Sequence, residues 1–405
     1  MPKHHRTAAR PARRATAVAL GCALAALPCA PATALPAGGS VPVDLVRHVG
    51  DRLVVETVTA PDAAAAERLA ERLTALESVS SAEPRTTYHL APVAAERLQV
   101  RGLLATDPLL RHATHLSEVG AFSAWPTTTG RGVTVAVLDS GVDPATPDLA
   151  GRVLPGANFA EGTDIGTHGT QVATVVAGAH GNGEGAAGVA PDVEVLPVRV
   201  CAPDGCPGSA VAQGIVWAAD HGADVVNLSL GGPRYSAVTA DAVDYALGKG
   251  VVVVAAAGNT GDQGNPVEYP ASYPGVVSVS ASARDGGAAA WAQHNPAVDV
   301  SAPGEGIPAG GPANQGYGYH AVTGTSFSAP QVAAAAALVR SVDPAATPAR
   351  VEELLRTTAA PRPSWPAGYG TGVLDVAAAV RAAATPATPL PTTPLVPRRA
   401  RAVRS

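Results

Sequence analysis

Four polar residues have the types and the order along the chain that nucleophilic catalysis needs: Asp139, His168, Asn259 and Ser326. A serine hydroxyl is a poor nucleophile at neutral pH and requires a base within hydrogen-bond reach. An acid can orient that base, and an amide can donate to the oxyanion that forms at an attacked carbonyl. The short blocks around these residues predict where each one lies in a fold.

Ser326 lies in the block Gly324–Pro330, which is followed by an Ala-rich run as far as Arg340. Alanine has the strongest helix propensity, and we expect Pro330 in the first helical turn, where proline costs little. The glycine before the serine permits a tight turn. The block therefore predicts a serine at a helix N-terminus, where free N–H groups favour developing negative charge. The alternative is a polar turn ahead of a core helix.

His168 is the best candidate for the base among the eleven histidines, because Gly166–Ala173 predicts a helix that begins after a glycine-bearing loop. Asp139 is the best candidate for the acid, since it ends the apolar run that starts at Val133 and precedes a tight turn. Open α/β sheets bind ligands at such strand ends. The rival acids stand in loops that suit turn capping or are flexible: Asp143, Asp148 and Asp164.

Asn259 follows Val251–Ala257, an almost wholly apolar run that predicts a strand buried on both faces of a parallel sheet. Its side-chain amide could donate to an oxyanion together with the backbone N–H of Ser326. One such donor contributes about 3–4 kcal/mol of transition-state stabilisation. An ordinary Gly-Asn turn is the alternative.

Short Val-rich runs alternate with helical patterns from Gly132 onward, which predicts a doubly wound α/β domain with a mostly parallel sheet. The predicted strands cover residues 133–138, 193–200, 224–230, 251–257, 276–280 and 298–300. The predicted helices cover residues 169–178, 210–220, 239–247, the Ser326 run, 348–357 and 373–383. The four polar residues would then converge at one rim of a single sheet.

Residues 44–100 predict a separate small α+β module. An alternating strand at Arg52–Val58, a helix at Ala63–Leu76 and a strand at Val79–Leu90 form a β-α-β pattern, and Ala94–Leu98 is predicted to start a second helix. About sixty residues is marginal for independent stability. We therefore expect the module to lean on the larger domain.

The first 34 residues predict an export signal, since basic residues up to Arg14 precede the apolar run Ala15–Ala30 and an A-x-A site at Ala32–Ala34. The run is broken by Pro28 and is short for a membrane span. An uncleaved anchor is the alternative. Residues 384–405 form a basic, Pro/Thr-rich tail that is predicted to be extended and mobile.

The formal net charge is −5, although both termini are basic, so the body of the chain is acidic. This charge argues against a nucleic-acid partner. The mature chain is expected to be a monomer without a membrane span.

Of the four cysteines, Cys22 and Cys29 would leave with the export signal. Cys201 and Cys206 flank a turn, which in an exported protein favours a local disulfide. Two thiols alone do not complete a tetrahedral metal site, so no metal is expected there. Two free thiols in a reducing compartment are the alternative.

These residues resemble those of the subtilisin-like serine proteases, peptidase family S8. Four blocks match the family pattern in the order Asp, His, Ser, which differs from that of chymotrypsin and the α/β-hydrolases: Val135–Gly141, His168–Ala173, Ala256–Asn259 and Gly324–Pro330. The resemblance covers about residues 110–383. It implies a secreted serine endopeptidase that acylates Ser326 and acts on proteins or peptides, either free or associated with the cell wall.

The resemblance also implies how substrate binds and how the chain is divided. The backbone that pairs with an extended substrate would be Ser229, Leu230, Gly231 and Gly232. A wall of the pocket for the side chain before the cleaved bond would be Ala256, Ala257 and Gly258. Residues 35–105 would be an inhibitory, chaperone-like propeptide that is cut off, and residues 106–383 the catalytic domain.

Some features depart from the family pattern. Gln171 stands where many relatives repeat a histidine, but it is not a triad position. A long calcium-binding insertion after the His168 helix is missing, so no cofactor is expected and calcium lacks a clear site. The loop cysteines and the Pro-rich tail also resemble the mycosins of type VII secretion, which however end in a membrane anchor. A catalytically inactive scaffold and an esterase with the same triad are further alternatives.

Overall fold

The computed structural model describes residues 40–91, 94–98, 107–313 and 318–385. The predicted export signal and all but the first two residues of the predicted tail lie outside these ranges. The helices are α1 (Ala63–Thr74), α2 (Thr114–Glu118), α3 (Ala121–Ala124), α4 (Thr167–Ala177), α5 (Gly208–Asp220), α6 (Ala237–Gly248), α7 (Thr325–Val342), α8 (Pro348–Thr358) and α9 (Val376–Ala384).

The strands of the N-terminal part are β1 (Val41–Val49), β2 (Arg52–Ala60), β3 (Val79–Pro84), β4 (Thr87–Tyr88) and β5 (Ala94–Leu98). Those of the larger domain are β6 (Thr134–Asp139), β7 (Ala157–Asn158), β8 (Glu194–Arg199), β9 (Cys206–Pro207), β10 (Val225–Leu228), β11 (Val252–Ala256), β12 (Val276–Ser282), β13 (Val300–Pro303), β14 (Ile307–Gly310) and β15 (Tyr319–Thr323).

A seven-stranded sheet organises the larger domain, in the order β13-β12-β11-β10-β6-β8-β7, and every neighbouring pair is parallel. Successive side chains of one strand enter opposite layers, as they must when both faces are covered. Val135 and Val137 pack in the core that contains α4 and α7, whereas Ala136 and Leu138 pack in the core that contains α5 and α6. The predicted doubly wound α/β fold is confirmed.

Helix α7 lies against the middle of this sheet and contacts β10, β11 and β12. Its alanines from Ala333 to Ala337 are all fully buried. Small side chains let the helix approach the strands closely, and alanine also favours the helical conformation. The same residues therefore specify both the helix and its central position.

The N-terminal module contains an antiparallel sheet in the order β2-β1-β3, with α1 packed against it. Asp62 caps α1 by accepting a hydrogen bond from the N–H of Ala65 at 2.7 Å. The module leans on the larger domain: the hydroxyls of Ser80 and Ser81 donate to Asp241 on α6. Strand β1 was not predicted, although its four central residues are buried.

Two predictions for this module are wrong. Residues Ala94–Leu98 form strand β5, not a helix, because they pair antiparallel with β15 and this pairing overrides their Ala/Glu helix propensity. The predicted strand Val79–Leu90 is divided into β3 and β4. Between the two, the chain leaves the module's sheet to pair with β9 of the larger domain.

Candidate active site

Asp139 and His168 form a buried pair at the carboxyl end of the central sheet. Asp139 is the last residue of β6, and His168 lies in the first turn of α4. Nδ1 of His168 is 2.9 Å from both carboxylate oxygens of Asp139, and the N–H of Ser140 donates to Oδ1 at 2.7 Å. The Asp139 side chain is fully buried and that of His168 is 10% exposed. A buried carboxylate requires such donors, so the pair is held in one orientation.

Gly169 permits the close approach of α4 to β6. A Cβ atom at this position would lie 2.3 Å from the carbonyl oxygen of Gly141 and 3.1 Å from Cβ of Asp139. The first distance is too short for any side chain, and the second is tighter than most contacts of a real Cβ atom. The glycine after the histidine is therefore required to bring the imidazole to the carboxylate.

We expect Gly169→Ala to reduce peptidase activity by about 10²-fold, because a shift of about 1 Å in His168 has effects of this size. We also expect a stability loss of about 1–3 kcal/mol from overpacking. The matched control is Gly248→Ala in α6, where an added methyl group meets no atom within 4 Å. Steady-state kinetics and thermal unfolding of both variants test this, and equal activities would contradict it.

The rival acids lie in other networks. Oδ1 of Asp143 accepts from the N–H of Ala145 at 2.9 Å, and Oδ1 of Asp148 accepts from Nδ2 of Asn182 at 3.0 Å. The backbone carbonyl of Asp164 accepts from the buried guanidinium of Arg199 at 3.0 Å. Among these candidates, Asp139 alone bonds the imidazole of His168.

Ser326 lies in the first turn of α7, which begins at Thr325 after the positive-φ residue Gly324. Its hydroxyl donates to the carbonyl of Ser229 at 3.4 Å. Nε2 of His168 is buried and has no hydrogen-bond partner within the described residues. The ring centroid of the next residue, Phe327, is 5.5 Å from that of the imidazole. Catalytic hydrogen bonds are often unformed in unliganded sites, so Nε2 stands available as an acceptor.

Pro330 lies in the second turn of α7, so its predicted place in the first turn is wrong. Proline has no N–H to donate to the carbonyl four residues earlier. That carbonyl, on Ser326, instead accepts from the hydroxyl of Ser229 at 2.9 Å. The proline thus couples the helix that carries Ser326 to the segment that begins at Ser229.

Asn259 is fixed by the residue that precedes the serine. Its Oδ1 accepts from the backbone N–H of Thr325 at 2.9 Å and from the Thr325 hydroxyl at 2.8 Å. This arrangement leaves Nδ2 as the donor without a hydrogen bond inside the described chain. Asn259 and Ser326 line the same cleft. The N–H of Phe327 donates to the carbonyl of Gly324. The side-chain amide of Asn259 and the backbone N–H of Ser326 are therefore the two donors available to an anion there.

The cleft has a volume of about 490 Å³. Of the residues predicted to bind substrate, those that line it are Ser229, Leu230, Gly231, Gly232, Ala256 and Gly258. Ala257 does not line it, because its N–H donates to Val279 in the sheet and its side chain is buried. Sequence reasoning missed several polar lining residues, namely Thr260, Gln263, Glu268 and Thr325. Of these residues, only Glu268 carries a charge that could have marked it as functional. No motif in the neighbouring sequence indicated that it lies in a cleft.

The end of the N-terminal module occupies this cleft as an extended chain. His89 and Gly231 exchange both backbone hydrogen bonds at 3.0 Å, the pattern of an antiparallel strand pair. Beyond His89, both Leu90 and Ala91 line the cleft. Before it, Tyr88 is fully buried, and its hydroxyl is 3.1 Å from that of Tyr273.

The loop closed by a disulfide contacts the extended segment just before His89. Cys201 and Cys206 are bonded, as predicted, and β9, which starts at Cys206, pairs with Thr87 and Tyr88. The N–H of Gly208 donates to the carbonyl of Thr86 at 2.7 Å. The extended chain is therefore held between the disulfide loop and the segment that begins at Ser229.

Comparison with known proteins gives one consistent family. The model described as "Subtilase family", Peptidase_S8, matches residues 130–372. Subtilisin BL and subtilisin Savinase, both from Lederbergia lenta, are each 39% identical to this chain over 258 residues, which is 62% of this chain and 92% of each relative. An alkaline protease of Alkalihalobacillus alcalophilus is also 39% identical over 258 residues, 65% of its length.

Two solved structures are similar. A protease of Pseudoalteromonas arctica PAMC 21717 has a TM-score of 0.64 and 34% identity, covering 68% of this chain and 98% of that one. Fervidolysin of Fervidobacterium pennivorans, described as a keratinolytic enzyme related to subtilisin, has a TM-score of 0.69 and 26% identity, covering 87% of this chain and 62% of that one.

Proposed function

The chain belongs to the subtilase family and is a serine endopeptidase, and we propose that Ser326 is the nucleophile and that Asp139 and His168 complete its triad. The observation that carries this proposal is the buried Asp139–His168 pair, with Nε2 unpartnered among the described residues and a serine in the neighbouring helix turn. Asp139 keeps the proton on Nδ1, which leaves Nε2 as the base.

The reaction proceeds in two halves. In the first, the Ser326 hydroxyl attacks the peptide carbonyl while Nε2 of His168 takes its proton. The oxyanion accepts hydrogen bonds from Nδ2 of Asn259 and the N–H of Ser326. The imidazolium then gives its proton to the leaving amine, and an acyl-enzyme remains. In the second half, water attacks the acyl carbonyl, His168 again serves as base, and Ser326 is released with its proton.

We expect Asn259→Asp to lower kcat by about 10²–10³-fold with a smaller change in KM, because it removes one oxyanion donor. The carboxylate retains an oxygen for Thr325, so the local hydrogen bonds of α7 can persist. Steady-state kinetics with a peptide substrate checks this result. The control is Thr325→Ser, which keeps the hydroxyl that donates to Asn259. An unchanged kcat for Asn259→Asp would show that the side-chain amide does not stabilise the oxyanion.

A peptide substrate, rather than a simple ester, fits the cleft best. The pairing of His89 with Gly231 supports a mode in which the backbone of Ser229–Gly232 receives an extended chain as an added strand. Strand addition requires successive backbone N–H and C=O groups, which a small ester lacks.

We further propose that residues 35–105 are an inhibitory propeptide and that residues 106–383 are the catalytic domain. Three observations support the inhibitory role: the strand pairing at His89, the burial of Tyr88, and the position of Ala91 in the cleft that contains Ser326. A chain held in this way excludes other substrates until it is cut and released.

We infer that the mature enzyme acts outside the cell. The export pattern of residues 1–34 and the disulfide between Cys201 and Cys206 support this inference. None of the helices in residues 40–91, 94–98, 107–313 and 318–385 has both the length and the apolar character of a membrane span.

Labelling of the secreted chain with a serine-directed phosphonate tests the proposed nucleophile. Mass spectrometry of the digested adduct should place the label on Ser326, and N-terminal sequencing of the same sample should show loss of the propeptide. Peptide hydrolysis by a chain that takes up no label on Ser326 would contradict the proposal, as would a label on another serine.

A further inference from the structure

Glu268 places a carboxylate between two walls of the cleft that contains Ser326. Its Oε1 accepts from Nε2 of Gln293 at 2.7 Å. Its Oε2 faces Gly231, where an added methyl group would lie only 2.7 Å away. Gln293 packs equally closely on Gly258 in the opposite wall, where an added methyl group would lie 2.5 Å from its Cδ. The carboxylate therefore lies between Gly231 in one wall and Gln293, which packs on the other wall, and Glu268 lines the cleft.

No positive side chain of the described chain balances this carboxylate. The lining of the cleft contains no lysine or arginine, and His89 is the only other residue of the lining with an ionisable side chain. The wall segments of Gly231 and Gly258 contribute no ionisable group, and Gln293 is neutral. Burial raises the pKa of Glu268 to about 7, with the hydrogen bond from Gln293 acting against it. Above that pH the cleft holds an anion without a cation, a costly arrangement that a ligand can relieve.

The strand register shows which substrate residue comes near Glu268. His89 lies opposite Gly231, so in an antiparallel pair the chain two residues further on lies opposite Ser229. The carbonyl of Ser229 accepts from the hydroxyl of Ser326. Ala91 occupies this position and lines the same cleft as Glu268. A side chain longer than that of alanine would extend from there into the cleft that Glu268 lines.

We propose that Glu268 makes this protein a peptidase that prefers lysine or arginine immediately before the cleaved bond. The inference rests on the proposed function, because it assumes that Ser326 attacks the residue placed where Ala91 now lies. An ammonium or guanidinium group would supply the missing cation and form a charge-assisted hydrogen bond to Oε2. Glu268 is thus a specificity-determining residue, distinct from the groups that act on the carbonyl.

The test compares two peptides that differ only before the cleaved bond, where one carries lysine and the other norleucine. Their side chains are similar in length, so the ratio of their kcat/KM values isolates the charge. For the secreted enzyme at pH 8.5 we expect a ratio of about ten or more in favour of lysine. Glu268→Gln, which keeps the shape, should reduce the ratio by about tenfold. Glu353→Gln, which removes an exposed charge from α8, should leave it unchanged.

A second measurement uses the unmodified enzyme and so does not depend on the folding of a variant. Below pH 7 Glu268 becomes protonated and neutral, so the lysine-to-norleucine ratio should fall as the pH is lowered from 8.5 to 5.5. Any effect of pH on the hydrolysis step itself applies to both peptides and cancels in the ratio.

The outcomes separate this inference from the proposed function. Ser326-dependent hydrolysis with a preference for alanine would show that Glu268 narrows the pocket, and it would overturn the inference alone. A ratio that depends neither on pH nor on Glu268 would do the same. An enzyme that cleaves neither peptide, nor any unfolded protein, would overturn both.

Discussion

Replacement of Ser326 by alanine should reduce peptide hydrolysis by roughly 10⁴–10⁶-fold. The alanine variant lacks the oxygen that forms the acyl-enzyme, while the Asp139–His168 pair and Asn259 keep their positions. The residual rate would come from substrate binding and oxyanion stabilisation alone. The same variant should retain its N-terminal module, because Ala91 lies in the cleft that contains Ser326 and we propose that this serine also cuts the module from the catalytic domain.

Two measurements check this expectation: kcat with a peptide substrate, and the mass of the purified chain after prolonged incubation. Ser328→Ala is the matched control, because it removes a hydroxyl two residues further along the same helix, where Oγ donates to the carbonyl of Ala302 at 3.0 Å. The control should lose about 1 kcal/mol of stability but retain activity. Peptide hydrolysis at the wild-type rate by a purified Ser326→Ala variant would show that Ser326 is not the nucleophile.

Replacement of Asp139 by asparagine should lower kcat by about 10⁴-fold. The amide has nearly the same shape as the carboxylate, so the fold at the end of β6 should persist. However, the NH₂ group of asparagine cannot accept from Nδ1–H of His168. The imidazole would then favour the tautomer with its proton on Nε2, and that nitrogen could no longer take the proton of Ser326.

Steady-state kinetics at neutral pH, together with a thermal unfolding curve, would separate a chemical loss from an unfolded protein. Asp143→Asn is the control, since Asp143 is also buried but caps the turn at Ala145 instead of bonding His168. A loss of activity as large in the control as in Asp139→Asn would assign the effect to the loop rather than to the imidazole.

A preference for basic residues would also affect the release of residues 35–105, the proposed propeptide. Ala91 offers no charge to Glu268, so the N-terminal chain in the cleft leaves the carboxylate unbalanced. A substrate with lysine or arginine at that position gains an interaction that the propeptide lacks. After cleavage, the proposed propeptide should therefore be displaced from the cleft more readily by basic substrates as the pH rises above 7 and Glu268 becomes charged.

The sequence by itself determined the central sheet and the positions of the four polar residues at its edge. Each of those positions follows from a local rule. Buried parallel strands are continuous apolar runs, and β6 and β11 end at or just before Asp139 and Asn259. Helix propensity and a preceding glycine placed His168 and Ser326 in first turns. Parallel strands then bring their carboxyl ends to one edge without further information.

Only the tertiary structure decided which distant segments meet. Ala94–Leu98 has the composition of a helix but becomes a strand, because the free edge of β15 supplies its hydrogen bonds. Glu268 stands in a loop with no periodic pattern, and its role depends on Gln293 and Gly231, far away in the chain. The carbonyl of Ser326 that Pro330 leaves without a helical donor accepts instead from the hydroxyl of Ser229. The sequence around Pro330 does not reveal this contact. Such contacts join residues that are remote along the chain, so their effect becomes visible only when the fold sets the distances between them.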